Sequence, residues 1–266
     1  MLNRSRKCCE QSMKFKFNLR RELKIVAVLI VLFGLIAFTE RMKGEVTVSE
    51  IEINIENIHE NHYLDEKDVM KLMRLDKENL RGASLSKLNF SQIEDRIRQN
   101  PYVSDAELFS DLKGNLMVTV SLRRPYARIV QSDGPDAYIG EDGTIMPVSD
   151  RFSSRVVLVS GDFVPKLLKL HNVNEVKEGV QLMSMLEEIH RDPFWNAQIA
   201  QIDINAKGRT VLYPQVGDER IEFGKPEDFE TKFRKLEIFY KEVLPRVGWN
   251  RYSRINVEYE GQVVAE

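Results

Sequence analysis

The chain has 266 residues, 42% apolar and 30% charged, with a formal net charge of −2 and two cysteines. The charge is lopsided: the first 24 residues carry +6 and the remainder −8, so the bulk lacks the basic footprint that nucleic-acid phosphates require. Both cysteines, Cys8 and Cys9, lie in the basic segment, which leaves the rest to fold without a disulfide, on one large or two modest cores.

Arg4, Arg6, Lys7, Lys14, Lys16, Arg20, Arg21 and Lys24, opposed only by Glu10 and Glu22, precede an apolar run from Leu23 to Thr39 that only Lys24 interrupts. Seventeen helical residues reach about 25 Å, at the short end of a bilayer span, and Lys24 can snorkel to the headgroups. The pattern predicts a cytoplasmic tail over 1–24, a transmembrane helix over 25–39 and everything beyond outside the cytoplasm. A cleaved signal peptide competes, but Ala37-Phe38-Thr39 matches its small-residue cleavage site poorly. A buried core helix would show a polar face, which this run lacks.

Glu40 to Glu45 reads as a short polar stalk. Val46 to Ile55 then alternates like a half-buried strand. Asp65 is a helix N-cap followed by Val69, Leu72 and Met73 at helical spacing. A second helix covers Ser91 to Gln99 and stops at Asn100-Pro101, because proline disfavours helix at the residue before it. Strands at Tyr102–Phe109 and Asn115–Leu122 flank a turn containing Gly114. The result is a β-α-α-β-β unit over 46–122.

From Arg123 to Glu266 the pattern is a mostly antiparallel β domain with helices on one side, giving an α+β chain overall. Short strands are expected at Tyr126–Gln131, Ala137–Gly140, Thr144–Val148 and Arg155–Val159. A helix over Gly179–Arg191 turns Val180, Met183, Leu186 and Ile189 inward. Strands resume at Ala200–Asn205, Thr210–Tyr213 and Glu219–Phe223. A long helix runs from Pro226 to about Leu244 with Phe229, Phe233, Leu236, Phe239 and Val243 on one face. Two closing strands, Ser253–Glu260 and Gln262–Ala265, surround Gly261. In the first, Ile255, Val257 and Tyr259 share a face. A terminal strand commonly lies at a sheet edge, where its free main-chain groups either pair internally or accept another chain.

Catalytic signals are sparse. His59 and His62, with Glu56 and Glu60, imitate a metal cluster but belong to a solvated turn at a strand end. His171 and His190 stand alone. Asp142-Gly143 and Ser160-Gly161-Asp162 read as turns, and no nucleophile elbow, Walker loop or dinucleotide fingerprint is present. The residues therefore point to a protein without catalysis, cofactor, metal or small-molecule substrate.

The order of the motifs resembles the bacterial cell-division proteins of the FtsQ/DivIB family: basic tail, one span, POTRA domain, β domain. Ile93-Glu94 followed by Asn100-Pro101-Tyr102-Val103 and Ala106 is similar to the family's helix and P-[aromatic]-V-x-x-A signature. Gly114-Asn115-Leu116 resembles its hairpin, and Arg124-Pro125-Tyr126-Ala127 its junction. Tyr138-Ile139 with Asp142-Gly143 is similar to its acidic-glycine turn. Ile221–Gly224, the following helix and INVEYEGQVV resemble its closing elements. The resemblance implies a divisome scaffold whose β domain holds the small bitopic proteins FtsB and FtsL during septum formation, FtsB adding a strand at the closing edge. Carried over, the partner-binding residues are Tyr259, Gly261, Gln262, Val263 and Val264, supported by Tyr252, Ile255 and Val257. Glu258 departs from the pattern, since many members place a basic residue there. A POTRA-containing envelope assembly protein and a membrane-tethered envelope enzyme are the competing readings; a pocket with a perturbed acid pair would favour the last.

Overall fold

The computed structural model describes residues 19–43, 47–56, 62–73 and 82–266. The tail over 1–18, with both cysteines, and His59 lie outside the described residues. Helix α1 spans Leu19–Lys43, so Glu40 to Lys43 are helical rather than a stalk. Among the described residues no helix is long and apolar enough to cross a membrane. The expected transmembrane helix over 25–39 lies within α1 but does not meet that condition over the residues whose side chains are described, Val26–Phe38.

The first folded unit follows the expected β-α-α-β-β order. Its elements are β1 (Ile51–Glu56), α2 (Glu66–Leu72), α3 (Phe90–Arg98), β2 (Val103–Ser110) and β3 (Leu116–Leu122). The sheet order is β1-β3-β2, with β1 parallel to β3 and β2 antiparallel to it. Asp65 caps α2 as anticipated: its carboxylate accepts from the Asp68 amide at 2.8 Å, and the Asp68 side chain accepts from the Asp65 amide. Alternation in β3 buries Leu116, Val118, Val120 and Leu122 against Ile93 and Ile97 of α3 and Val69 and Met73 of the preceding helix segment. Each such side chain contributes about 1.5–3 kcal/mol on leaving water.

The second unit is built on β4 (Pro125–Ile129), β5 (Ala137–Gly140), β6 (Ile145–Pro147), β7 (Val157–Ser160), β8 (Ile199–Ile204), β9 (Thr210–Pro214), β10 (Arg220–Gly224), β11 (Arg254–Asn256) and β12 (Val264–Ala265). They form one sheet in the order β12-β11-β10-β9-β8-β7-β4-β5-β6. The sheet is mixed: β4 with β7, β7 with β8, and β10 with β11 are parallel. The mostly antiparallel expectation missed these three pairs, because each needs a crossover that local alternation does not signal.

Helices α4 (Val164–Leu167), α5 (Lys177–Arg191), α6 (Pro193–Gln198), α7 (Phe229–Ile238) and α8 (Leu244–Val247) share one core with alternate strand residues such as Ile129, Val159, Ile202, Leu212, Ile221 and Ile255. The intervening residues form a polar face, where Ser160 donates to Asp203 at 2.7 Å and Arg254 to Glu222 at 2.7 Å.

Two helices depart from expectation. In α5, Val180 is 46% exposed, while Leu182, Met183, Met185, Leu186 and Ile189 are buried, so the apolar face is phased slightly differently. The long C-terminal helix starts at Phe229, because Asp228 before it sits in the left-handed region at φ 53°. A π-helical turn over Phe239–Val243 then joins α7 to α8. Its extra residue rotates the face, so Tyr240 and Leu244 are buried while Val243 is only partly so.

The two units share packing. Tyr138 and Met146 of the second belong to the first unit's core. Tyr63 stacks on Tyr102 at 4.8 Å and meets Tyr138 and Phe152 edge-on. Arg123, 8% exposed, donates to the Pro101 carbonyl and to Asp142, and Arg151 pairs with Asp68.

Candidate partner edge of the C-terminal sheet

β12 is one edge of the nine-stranded sheet and pairs on its inner side with β11, Ile255 opposite Ala265 and Asn256 opposite Val264. The Glu266 amide donates to Arg254 O at 2.9 Å and Glu266 O accepts from Arg254 at 3.1 Å. Main-chain direction alternates along a strand, so the N–H and C=O groups of Val263 and Ala265 point away from β11. Their side chains pack on the helix-side core. The edge therefore presents open main-chain groups on a strand whose side chains are held from below.

Of the residues carried over by resemblance, Ile255 and Val257 are fully buried and support the edge. Tyr252 is half-buried, its ring 5.6 Å from that of Phe239. Val263 and Val264 lie on or beside the edge strand. Tyr259, Gly261 and Gln262 do not lie on a strand: the first closing strand ends at Asn256, not Glu260, and the chain turns over Tyr259 to Gly261. Tyr259 is 53% exposed rather than on the face of Ile255 and Val257. The cause is local. Asn256 Oδ1 accepts from the Glu258 amide at 2.9 Å, and Lys235 of α7 donates to the carbonyls of Val257 at 2.7 Å and Tyr259 at 2.6 Å. With those carbonyls taken, the strand cannot continue, and Gly261 at φ 67° reverses the chain.

Residues without a sequence signal complete the edge. Glu222 accepts from Arg254 Nε and Nη2 at 2.7 Å each and from Asn256 at 2.8 Å. The guanidinium, followed by the Asn256 amide, outweighs burial and holds the Glu222 carboxyl below its ordinary range. Arg254 also reaches Glu266 at 3.1 Å, tying β12 to the interior. Glu258 pairs with Arg209 across the chain. This internal partner explains why an acidic residue is accommodated there, and no spacing rule links two residues so far apart in sequence.

Elsewhere, a depression of about 540 Å³ lies beyond the ends of β4 and β7, lined by Gln131, Ser132, Asp133, Ser160, Gly161 and Asp162 among others. The Ser160 hydroxyl there is engaged with Asp203 and accepts from Gln201 at 2.8 Å. His62 packs edge-on against Phe152, and His190 stacks on Tyr126. Among the described residues no group of three or more His, Cys, Asp or Glu side chains is arranged to hold a metal.

A three-stranded β-α-α-β-β unit joined to a mixed nine-stranded sheet defines a two-part α+β protein whose first unit is POTRA-like. The POTRA-like domain family matches residues 47–121, and the family described as FtsQ/DivIB, C-terminal related, matches 124–266. The second match covers more than half of the chain, which therefore belongs to the FtsQ/DivIB-related family, whose domains suggest a role as a cell-division scaffold. Comparison with curated proteins gives no match.

Proposed function

We propose that the protein is a non-catalytic, membrane-anchored scaffold of the division machinery that recruits FtsB-like and FtsL-like bitopic partners at the C-terminal edge. The observation that carries this reading is β12, an edge strand with outward main-chain groups at Val263 and Ala265 and a side-chain foundation in the core. A partner strand adds there by main-chain hydrogen bonding, which requires no particular charge at Glu258. Exposed Tyr259, in the turn preceding β12, and exposed Gln262, just after that turn, would meet partner side chains.

Membrane anchoring belongs to the same proposal. Helix α1 exposes apolar residues all round, including Val28 at 65%, Ile30 at 66% and Phe33 at 74%. Such a helix needs a non-aqueous surrounding. The +6 basic flank sets its orientation, with the tail cytoplasmic and the folded units outside. The deciding experiment is co-purification of the full chain with an FtsB-like partner, comparing the native sequence with Val263→Pro. Proline removes an outward N–H donor while leaving charge unchanged. Loss of recruitment in a folded variant supports the assignment; undiminished recruitment places the partner surface elsewhere.

A further inference from the structure

The turn between β2 and β3 has an unusual surface. Leu112 is 96% exposed, more than any other large apolar side chain among the described residues. Just behind it, Phe109, 46% exposed, is the cross-strand partner of half-buried Met117. Farther along, the same sheet face turns polar, with Glu107 opposite Thr119 and Asp105 opposite Ser121. Apolar exposure on this face is thus gathered at the turn end. The turn is also stiff: Asp111 accepts from the amides of Lys113 and Asn115 at 2.8 Å each and from the Asn115 side chain at 2.8 Å.

The chain that leaves α1 is fastened to this same turn. The Ser49 amide donates to Gly114 O at 2.9 Å, and its hydroxyl to Lys113 O at 3.2 Å. On its other side Val48 exchanges main-chain bonds with Gly82 and Ala83, each 2.9 Å. Only five residues separate Lys43, the end of α1, from Ser49, six chain steps with a reach of at most about 20 Å. If α1 sits in a bilayer, the turn is held close to its surface.

We propose that the Asp111–Asn115 turn docks on the bilayer that holds α1, with Leu112 entering the boundary between headgroups and acyl chains and Lys113 at the headgroups. This rests on the anchor reading above. The occupant is lipid rather than protein because a tether of five residues limits what else can lie against the turn, and because a leading leucine beside a lysine suits an interface that is apolar below and polar above. Glu50 and Glu52 lie level with Leu116 and Met117, several residues behind the tip at about 3.3 Å each, and so remain in water. Contact is therefore apolar in origin and does not need anionic lipid. Its consequence is orientational: a second point of attachment fixes the tilt of the first unit and, through the shared Tyr63–Tyr102–Tyr138 packing, the direction in which β12 faces.

The test uses the full chain, with Cys8→Ser and Cys9→Ser, in phosphatidylcholine nanodiscs. A polarity-sensitive fluorophore is attached at Leu112→Cys, at Phe33→Cys within α1, or at Glu107→Cys on β2. The expected result is a blue-shifted emission at 112 relative to 107, quenched most by lipids spin-labelled near the glycerol backbone, with position 33 quenched by deeper labels. A probe moved to Lys113→Cys should return to aqueous emission when Leu112→Asp is added. Emission at 112 matching that at 107, while 33 is quenched, overturns the docking and leaves the anchor standing. An unquenched probe at 33 overturns the anchor and the docking together.

Discussion

Glu219 is 2% exposed and accepts one hydrogen bond, from the Tyr240 hydroxyl at 2.6 Å, while its Oε2 has no partner. Burial and then this carboxylate raise the Tyr240 pKa far above its ordinary value, so the phenol remains a donor throughout the useful pH range. Tyr240→Phe removes that donor and should destabilise the second unit by about 1–3 kcal/mol, read as a lower midpoint in urea. The Glu222–Arg254 pair makes a second prediction. The Glu222 pKa is depressed in the folded state, so its stabilisation is present above the ordinary carboxyl value near 4.3 and is lost as pH falls through the lower folded value. Amide exchange at Val264 and Glu266 should therefore accelerate on acidification below about pH 4, and Glu222→Gln should remove most of that response. Glu258→Lys would set a lysine beside Arg209 in place of their internal pair. It should lower stability before it alters partner affinity, with a shift of about 0–1 kcal/mol for a half-exposed pair.

At the scale of elements, the proposed recruitment of a partner turns on the edge strand. Gly261→Ala forces a residue with a Cβ into φ 67°, where space is open but the backbone is strained, and should cost about 1 kcal/mol in the closing hairpin. The measurement is a thermal midpoint compared with that of Gly248→Ala, a glycine at φ 102° removed from the edge. Strands and helices set by nearest-neighbour chemistry were legible in the chain: the Asp65 cap, the stop at Asn100-Pro101 and the alternation of Leu116 to Leu122 all stand where local rules put them. The closing strands were only half legible. Alternation through Ile255, Val257 and Tyr259 is real, but Lys235, more than twenty residues away, takes the carbonyls of Val257 and Tyr259 and ends the ladder. The π-turn at Phe239–Val243 was hidden for a similar reason, since a one-residue insertion in a helix leaves each local propensity unchanged. Parallel pairing of β4, β7 and β8 is a property of crossovers and escaped any reading of single strands.

Across the whole molecule, the two folded units act through one shared seam. Burial pushes the Tyr63 hydroxyl up to about 12, and the ring is clasped between Tyr102, Tyr138 and Phe152. Tyr63→Ala should remove about 3–5 kcal/mol of packing and separate a single unfolding transition into two, as seen by calorimetry. Rigid coupling matters because the proposed partner edge lies on the second unit while α1 leads into the first. The central claim, that a partner strand adds to β12, is tested most directly by amide hydrogen exchange at single-residue resolution, with and without an FtsB-like segment. The account predicts that the amides of Val263 and Ala265, which point away from β11, gain strong protection on binding, while that of Val264, already directed at β11, changes little. Saturated binding that leaves Val263 and Ala265 exchanging at their free rates would contradict it.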